Sequence, residues 1–129
     1  MSTLIDSSVM IAFFRGHQTP STQRLKQLIA EDRELLIGDL ILAELLQGIR
    51  ESERFQVESV LRTLSVAPLV GEAIARQSAA NHRQLRRRGI TVRKTIDCLI
   101  ATWCIENRVP LLHADRDFSH FVDLGSMEA

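Results

Sequence analysis

Five acidic residues stand out because each follows an apolar run or lies inside one. Asp6 directly follows the first apolar run, and Asp115 and Asp117 follow another near the C-terminus. Glu44 and Asp97 lie within strongly apolar segments, where an unpartnered carboxylate would be costly to bury. Acids placed where burial is costly are better functional candidates than exposed acids.

Carboxylates that meet in space repel one another, and a hard divalent cation relieves that repulsion. Mg²⁺ takes oxygen ligands, uses few carboxylates and keeps several waters, and Mn²⁺ accepts the same ligands. Such a site suits phosphodiester hydrolysis, because the cation can lower the pKa of a bound water and neutralise charge on the phosphate. The acids therefore indicate a metal-dependent hydrolase that needs no nucleophilic serine or cysteine.

The elements that must position these acids form an alternating pattern. Apolar runs predict strands at residues 3–5, 35–37, 65–67 and 109–113, with a further edge strand in the last residues. Helical spacing, caps and breaking glycines predict helices at residues 7–15, from 19–20 onwards, 40–49, 51–64, 72–88, 95–106 and 117–121. This alternation predicts an α/β fold, with a parallel sheet covered by helices on both faces. In such sheets, ligands bind beyond the carboxyl ends of the strands.

Three residues of these helices have specific expected positions. Asp39 follows a glycine that breaks the second strand, and it is a plausible N-cap for the helix over residues 40–49. Phe55 is a candidate inward residue of the helix over residues 51–64. Ile96 is a candidate buried residue of the helix over residues 95–106.

Composition bounds the class of protein. The chain has 129 residues, of which 45% are hydrophobic, so it fits a single domain over residues 1–129 with a packed core. Sixteen basic and sixteen acidic residues give zero net charge, which argues against nucleic-acid binding driven by overall charge. No signal peptide or membrane span is evident, and Cys98 and Cys104 are expected to be buried thiols. We expect a soluble cytoplasmic protein.

Basic residues are concentrated in one stretch, since no acidic residue lies between Glu72 and Asp97. Because an acidic pocket repels a polyanion, a nuclease needs cations nearby to hold the backbone. The candidates for RNA contact are Arg83, Arg86, Arg87, Arg88, Arg93 and Lys94. Taken alone, they would be a solvated helix end, but beside the acids RNA contact becomes the better interpretation. The few aromatic residues favour structured RNA over stacked single strands.

Four segments together resemble the signature of PIN domains, and specifically of VapC-type toxins. They are LIDSS at residues 4–8, LAELLQG at residues 42–48, IDCLIA at residues 96–101 and LLHADRDF at residues 111–118. Their order and separations cover nearly the whole chain. All four together, in a chain of this length, are highly specific.

The resemblance implies a three-layer α/β/α sandwich around a central, mainly parallel sheet. It also implies that Asp6, Glu44, Asp97 and Asp115 form a catalytic acidic quartet that binds Mg²⁺ or Mn²⁺. Asp117 would be an accessory acid and metal ligand near the quartet. The members of the family cleave RNA with metal-activated water, usually structured tRNA or rRNA.

Two further residues are implied to support the site. Ser7 would do so by hydrogen bonding. The family often has Thr or Ser where this chain has His113, which puts hydroxyl-mediated support at that position in doubt. His113 could instead order a water or phosphate, or serve in packing or hydrogen bonding.

The resemblance also implies partners. VapC-type toxins typically form homodimers and larger toxin–antitoxin hetero-oligomers, and a cognate VapB antitoxin neutralises them. A basic side chain of such an antitoxin could enter among the carboxylates and displace the metal. No membrane partner is expected.

Two other functions are weighed against this interpretation. A haloacid-dehalogenase-type phosphatase also begins with an aspartate after a strand, but its chemistry needs a second aspartate two residues on, where this chain has Ser8. A PIN-like scaffold could bind RNA or protein without cleavage, although the complete set of acids argues against it.

Overall fold

A four-stranded parallel sheet forms the centre of the fold. The computed structural model describes residues 2–129. The strands are β1 (Ser2–Ile5), β2 (Glu34–Gly38), β3 (Ser65–Ala67) and β4 (Leu111–Leu112). They lie in the order β3-β2-β1-β4, and all neighbouring pairs are parallel. The α/β fold with a parallel sheet is therefore confirmed.

Helices connect the strands. They are α1 (Ser7–Phe14), α2 (Pro20–Ala30), α3 (Asp39–Gly48), α4 (Arg54–Leu61), α5 (Glu72–Arg87) and α6 (Thr95–Asn107), with 3₁₀ segments at Glu51–Glu53 and Arg116–Leu124. The chain steps outward from β1 to β3 and then returns across the sheet to β4. Because such crossovers are nearly always right-handed, the reversal puts α1–α4 on one face and α5–α6 on the other.

The central strand β1 is buried on both of its sides, as is usual for a parallel sheet covered by two helical layers. Leu4 and Ile5 have no exposed surface, and Thr3 is also buried. At the end of β2, Gly38 allows a close approach, because a Cβ atom there would lie 2.2 Å from Cδ1 of Leu69. No helix among residues 2–129 has the length and apolar character needed to cross a membrane.

Several local predictions were wrong. Asp39 is the first residue of α3 rather than its cap, and its Oδ1 atom accepts the backbone N–H of Leu69 at 3.1 Å. Phe55 is 84% exposed and Ile96 is 37% exposed, so neither belongs to the core. The helix expected over residues 51–64 begins as a 3₁₀ turn and ends at Leu61.

The C-terminal end of the chain lies beside β4. Strand β4 is shorter than predicted, but its outer edge is paired, because Leu111 forms a parallel bridge with Glu128. The Leu111 N–H donates to the Met127 carbonyl at 2.9 Å, and the Ala129 N–H donates to the Leu111 carbonyl at 3.2 Å. The last residues therefore pair with β4 through a single bridge and do not form the edge strand that was predicted.

Candidate metal centre

The acidic residues gather where β1 and β4 end side by side. Asp6 follows β1, and its backbone N–H donates to the Leu112 carbonyl of β4 at 2.9 Å. From the end of β1 the chain continues to β2 on one side, and from the end of β4 it continues to the residues that pair with the outer edge of β4 on the other side. A crevice at the carboxyl ends of such strands is where open α/β sheets bind ligands.

Asp6 is fixed by a serine that also contacts the segment after β4. Its Oδ2 atom accepts the backbone N–H of Ser8 at 3.1 Å and the Ser8 hydroxyl. The same hydroxyl oxygen accepts the backbone N–H of Ala114 at 3.1 Å. Ser8, rather than Ser7, thus makes the hydrogen bonds to Asp6. Asp6 is also the N-cap of α1. The signal for Ser8 was its place two residues after this cap, where its N–H points back at the cap.

Asp97 lies in the first turn of α6 and is only 6% exposed. Its Oδ2 atom is buried and has no hydrogen-bond partner within residues 2–129. Burial, followed by the negative charge of Asp6, raises the pKa of Asp97 from 3.8 to about 6. The charges of Asp115 and Glu44 act in the same direction. An orphaned carboxylate oxygen among other carboxylates is the arrangement that a bound cation would relieve.

The closest acidic group consists of Asp97, Asp115 and Asp117. One carboxylate oxygen from each lies within 4.8 Å of the other two. Asp115 uses its Oδ1 atom to accept the Asp117 backbone N–H at 3.0 Å, so it also caps the 3₁₀ segment Arg116–Leu124. Three oxygen donors at this spacing fit Mg²⁺ or Mn²⁺ better than a soft metal.

Asp6 and Glu44 lie outside that closest group but within its electrostatic range. Glu44 is half-buried on α3. Burial raises the pKa of Glu44 above its ordinary value, and the charge of Asp6 raises it further. All five predicted acids thus converge on the same end of the sheet.

The basic residues are exposed and do not belong to the acidic group. All six are exposed, and none makes an ion pair within the part of the chain that the structure describes. Lys94 is nearest in effect, since its charge partly opposes the rise in the pKa of both Glu44 and Asp97. Arg83 and Arg86 line an apolar groove between α5 and α6 with a volume of about 510 Å³.

His113 lies between the acidic group and the C-terminal residues. Its Nδ1 atom accepts the Asp115 backbone N–H at 3.3 Å, and its Nε2 atom lies 2.5 Å from the Glu128 carboxylate. The ring packs against Phe118, with 5.0 Å between ring centroids. Of the roles left open for this residue, the structure shows packing and hydrogen bonding.

A family comparison settles the class of the chain. The model of the PIN domain matches residues 3–124. The chain belongs to the PIN domain family. Ribonuclease VapC19 of Mycobacterium tuberculosis is 35% identical over 124 residues, covering 94% of this chain and 95% of the relative. VapC ribonuclease Mb1587 of Mycobacterium bovis is 27% identical over 128 residues, covering 98% and 96%.

Solved structures confirm the fold of this PIN domain. VapBC2 from Rickettsia felis, bound to a promoter DNA fragment, aligns with a TM-score of 0.76 and 19% identity, covering 100% of this chain and 98% of that chain. VapBC-1 from nontypeable Haemophilus influenzae aligns with a TM-score of 0.73 and 19% identity, covering 99% and 98%. The resemblance to PIN domains found in the sequence is therefore confirmed.

Proposed function

We propose that this PIN domain is an endoribonuclease of the VapC type, the toxin of a toxin–antitoxin pair. It hydrolyses RNA phosphodiester bonds with a divalent cation held by its acidic cluster. The observation that carries this proposal is the buried Oδ2 atom of Asp97, which has no partner among residues 2–129 and lies among four other acids. The relatives named as VapC ribonucleases span nearly the whole chain and support the same activity.

The acidic residues and Ser8 have different proposed roles in the site. Asp6, Glu44, Asp97 and Asp115 would hold Mg²⁺ or Mn²⁺, with Asp117 as an accessory ligand. When bound, the cation lowers the pKa of water and neutralises charge on the phosphate. Ser8 holds Asp6 in place, so one carboxylate oxygen stays turned to the hydroxyl and the other has no hydrogen bond within the described residues.

RNA is the proposed substrate, and the exposed cations would hold its backbone. Arg side chains bind phosphate with two parallel hydrogen bonds, which suits Arg83, Arg86, Arg87, Arg88 and Arg93. Lys94 lies close enough to the acids to affect their pKa values, so it would contact a phosphate near the cleaved bond. The scarcity of aromatic residues favours a structured target such as tRNA or rRNA.

The proposed partner is a VapB-type antitoxin, since two similar solved structures are VapBC assemblies. A basic antitoxin side chain inserted among the carboxylates would compete with the cation for them. We further propose a cytoplasmic homodimer that enters larger toxin–antitoxin assemblies, with residues 1–129 as a single PIN domain.

The test is cleavage of structured RNA by the purified protein in Mg²⁺ or Mn²⁺. Asp6→Asn and Asp97→Asn should abolish cleavage, and a chelator should do the same to the parent protein. Asp32→Asn is the matched control, because Asp32 lies in the exposed turn before β2 with φ of 55°, a conformation that asparagine tolerates. If the Asp6 and Asp97 variants cut as fast as the parent, the proposal fails.

A further inference from the structure

The His113 side chain contacts Asp115 of the acidic site on one side and Glu128 of the C-terminal residues on the other. On one side, its Nδ1 atom accepts the backbone N–H of Asp115, two residues along the chain. On the other side, its Nε2 atom faces the carboxylate of Glu128 at 2.5 Å. No hydrogen bond to this buried nitrogen forms among residues 2–129, so its contact with Glu128 is a close approach of the two charged or chargeable groups. The His113 side chain is only 10% exposed.

One tautomer satisfies both contacts together. A nitrogen that accepts a hydrogen bond carries a lone pair, so the neutral ring must carry its proton on the other nitrogen. With Nδ1 accepting from Asp115, the proton lies on Nε2, the nitrogen that faces the Glu128 carboxylate. The carboxylate therefore favours the one tautomer that can hold the Asp115 N–H.

Glu128 itself is held in register. The residues on both sides of it are bonded to Leu111, one through the Met127 carbonyl at 2.9 Å and the other through the Ala129 N–H at 3.2 Å. Leu111 belongs to β4, which pairs with β1 at the base of the acidic site. Glu128 is therefore presented to His113 by backbone pairing rather than by a free tail.

We propose that Glu128 and His113 form a positioning pair that holds Asp115 in the geometry needed to bind the cation. This inference rests on the proposed function, because it assigns Asp115 a ligand role. The pair touches neither RNA nor cation and acts through the backbone of Asp115. The Asp115 carboxylate accepts the Asp117 N–H, so losing the His113 contact to the Asp115 backbone removes one of two restraints on this residue. Groups that orient metal ligands in this way affect metal affinity strongly.

The experiment measures Mg²⁺ and Mn²⁺ affinity by calorimetry, independently of RNA cleavage. His113→Leu keeps apolar packing against Phe118 but removes both polar contacts, and it should weaken metal binding roughly tenfold. His113→Asn can still accept an N–H two residues on through its side-chain oxygen, so it should restore most of the affinity. Glu128→Ala should weaken binding several-fold, whereas Glu128→Gln, which keeps a hydrogen-bond acceptor, should bind nearly as tightly as the parent.

Matched controls separate positioning from general destabilisation. His120→Leu and Glu106→Ala make the same chemical changes as the two weakening variants, but at exposed positions, and should leave affinity unchanged. Equal weakening in His113→Leu and His113→Asn, or parent-like binding in His113→Leu, would overturn the inference. If His113→Leu does not fold, the difference between Glu128→Ala and Glu128→Gln decides, and equal affinities overturn it. A parent protein that binds neither metal would instead overturn the proposed function and the inference with it.

Discussion

Helix α6 carries two buried polar side chains with opposite surroundings. Thr102 has no exposed surface, and its hydroxyl accepts the side-chain N–H of Asn81 on α5 at 3.0 Å. Asn81 in turn accepts the side-chain N–H of Gln77 at 3.0 Å. Asp97, less than two turns away, has a buried oxygen without a partner within residues 2–129 and faces other negative charges.

The contrast between Thr102 and Asp97 separates structural from functional roles among buried polar groups. A buried group with its hydrogen bonds made contributes modestly to stability and ties two elements together. A buried group without a partner costs free energy, and a folded protein retains it when it serves another purpose. Because Thr102 and Asp97 lie on the same helix, variants at the two positions can be compared in the same structural setting.

The greatest change should be a loss of RNA cleavage rate when an acid of the site is substituted. Asp115→Asn should lower the RNA cleavage rate at least about a hundredfold, the size typical of losing one group that stabilises charge in a transition state. Thr102→Val should leave the rate per folded molecule unchanged, because the Thr102 hydroxyl bonds to Asn81 of α5 and not to any of the five acids. Single-turnover cleavage of a structured RNA measures both. Equal losses of cleavage rate in Asp115→Asn and Thr102→Val would contradict the separation between the acidic site and the Thr102 hydrogen bond.

The second effect concerns stability and is expected at Thr102. Thr102→Val keeps the shape of the side chain but leaves the Asn81 N–H buried without an acceptor, which should cost roughly 1–3 kcal/mol. Urea unfolding in a chelator gives the value. The double variant Thr102→Val with Asn81→Leu should recover part of the loss, since removing both partners is less costly than removing one. No recovery would argue against this pairing.

The third effect is the response to metal. Cations that bind only the folded protein stabilise it by mass action, by about 1.4 kcal/mol at a tenfold excess over the dissociation constant. For a domain of this size, the melting temperature should rise by roughly 4 °C. Thr102→Val should keep this rise, and Asp97→Asn should lose most of it. A melting temperature that does not change in millimolar Mg²⁺ or Mn²⁺ would count against the metal site.

The smallest effect is the pH dependence of the metal-free protein. The pKa of Asp97 is about 6 in the fold, against 3.8 for an ordinary aspartate. A raised pKa means that the contribution of Asp97 to stability is present below about pH 4 and is lost as the pH rises through 6. In a chelator, Asp97→Asn should therefore be more stable than the parent at pH 7.5, and their difference should shrink toward pH 5. Thermal unfolding across this range tests it, and a constant difference would contradict the pKa.

Much of the fold could be predicted because β1, β2 and β4 are largely buried and stand out as apolar runs. The helix over residues 51–64 shows where hydrophobicity alone misleads. Phe55 and Val57 are two residues apart, or about 200° around a helix, so burying Val57 turns Phe55 to solvent. Angular position decides burial there, and the apolar character of Phe55 does not.

The acids of the site could be found from local sequence, but their supports could not. Asp97 and Glu44 were recognisable because they interrupt apolar segments. The contact between Ser8 and Ala114 joins residues 106 positions apart, and the contact between His113 and Glu128 depends on the register of the last residues beside β4. Such contacts arise from strand pairing, which residue spacing does not specify.

The pairing of β4 with β1 also determines when the acidic cluster can form during translation. Ribosomes make the chain from its N-terminus, so Asp6 and Glu44 emerge long before Asp115 and Glu128 exist. Asp115 cannot join the other carboxylates until β4 has been synthesised and has paired with β1, which was made much earlier. A nascent chain of this protein therefore lacks the complete acidic cluster until translation has passed Asp115.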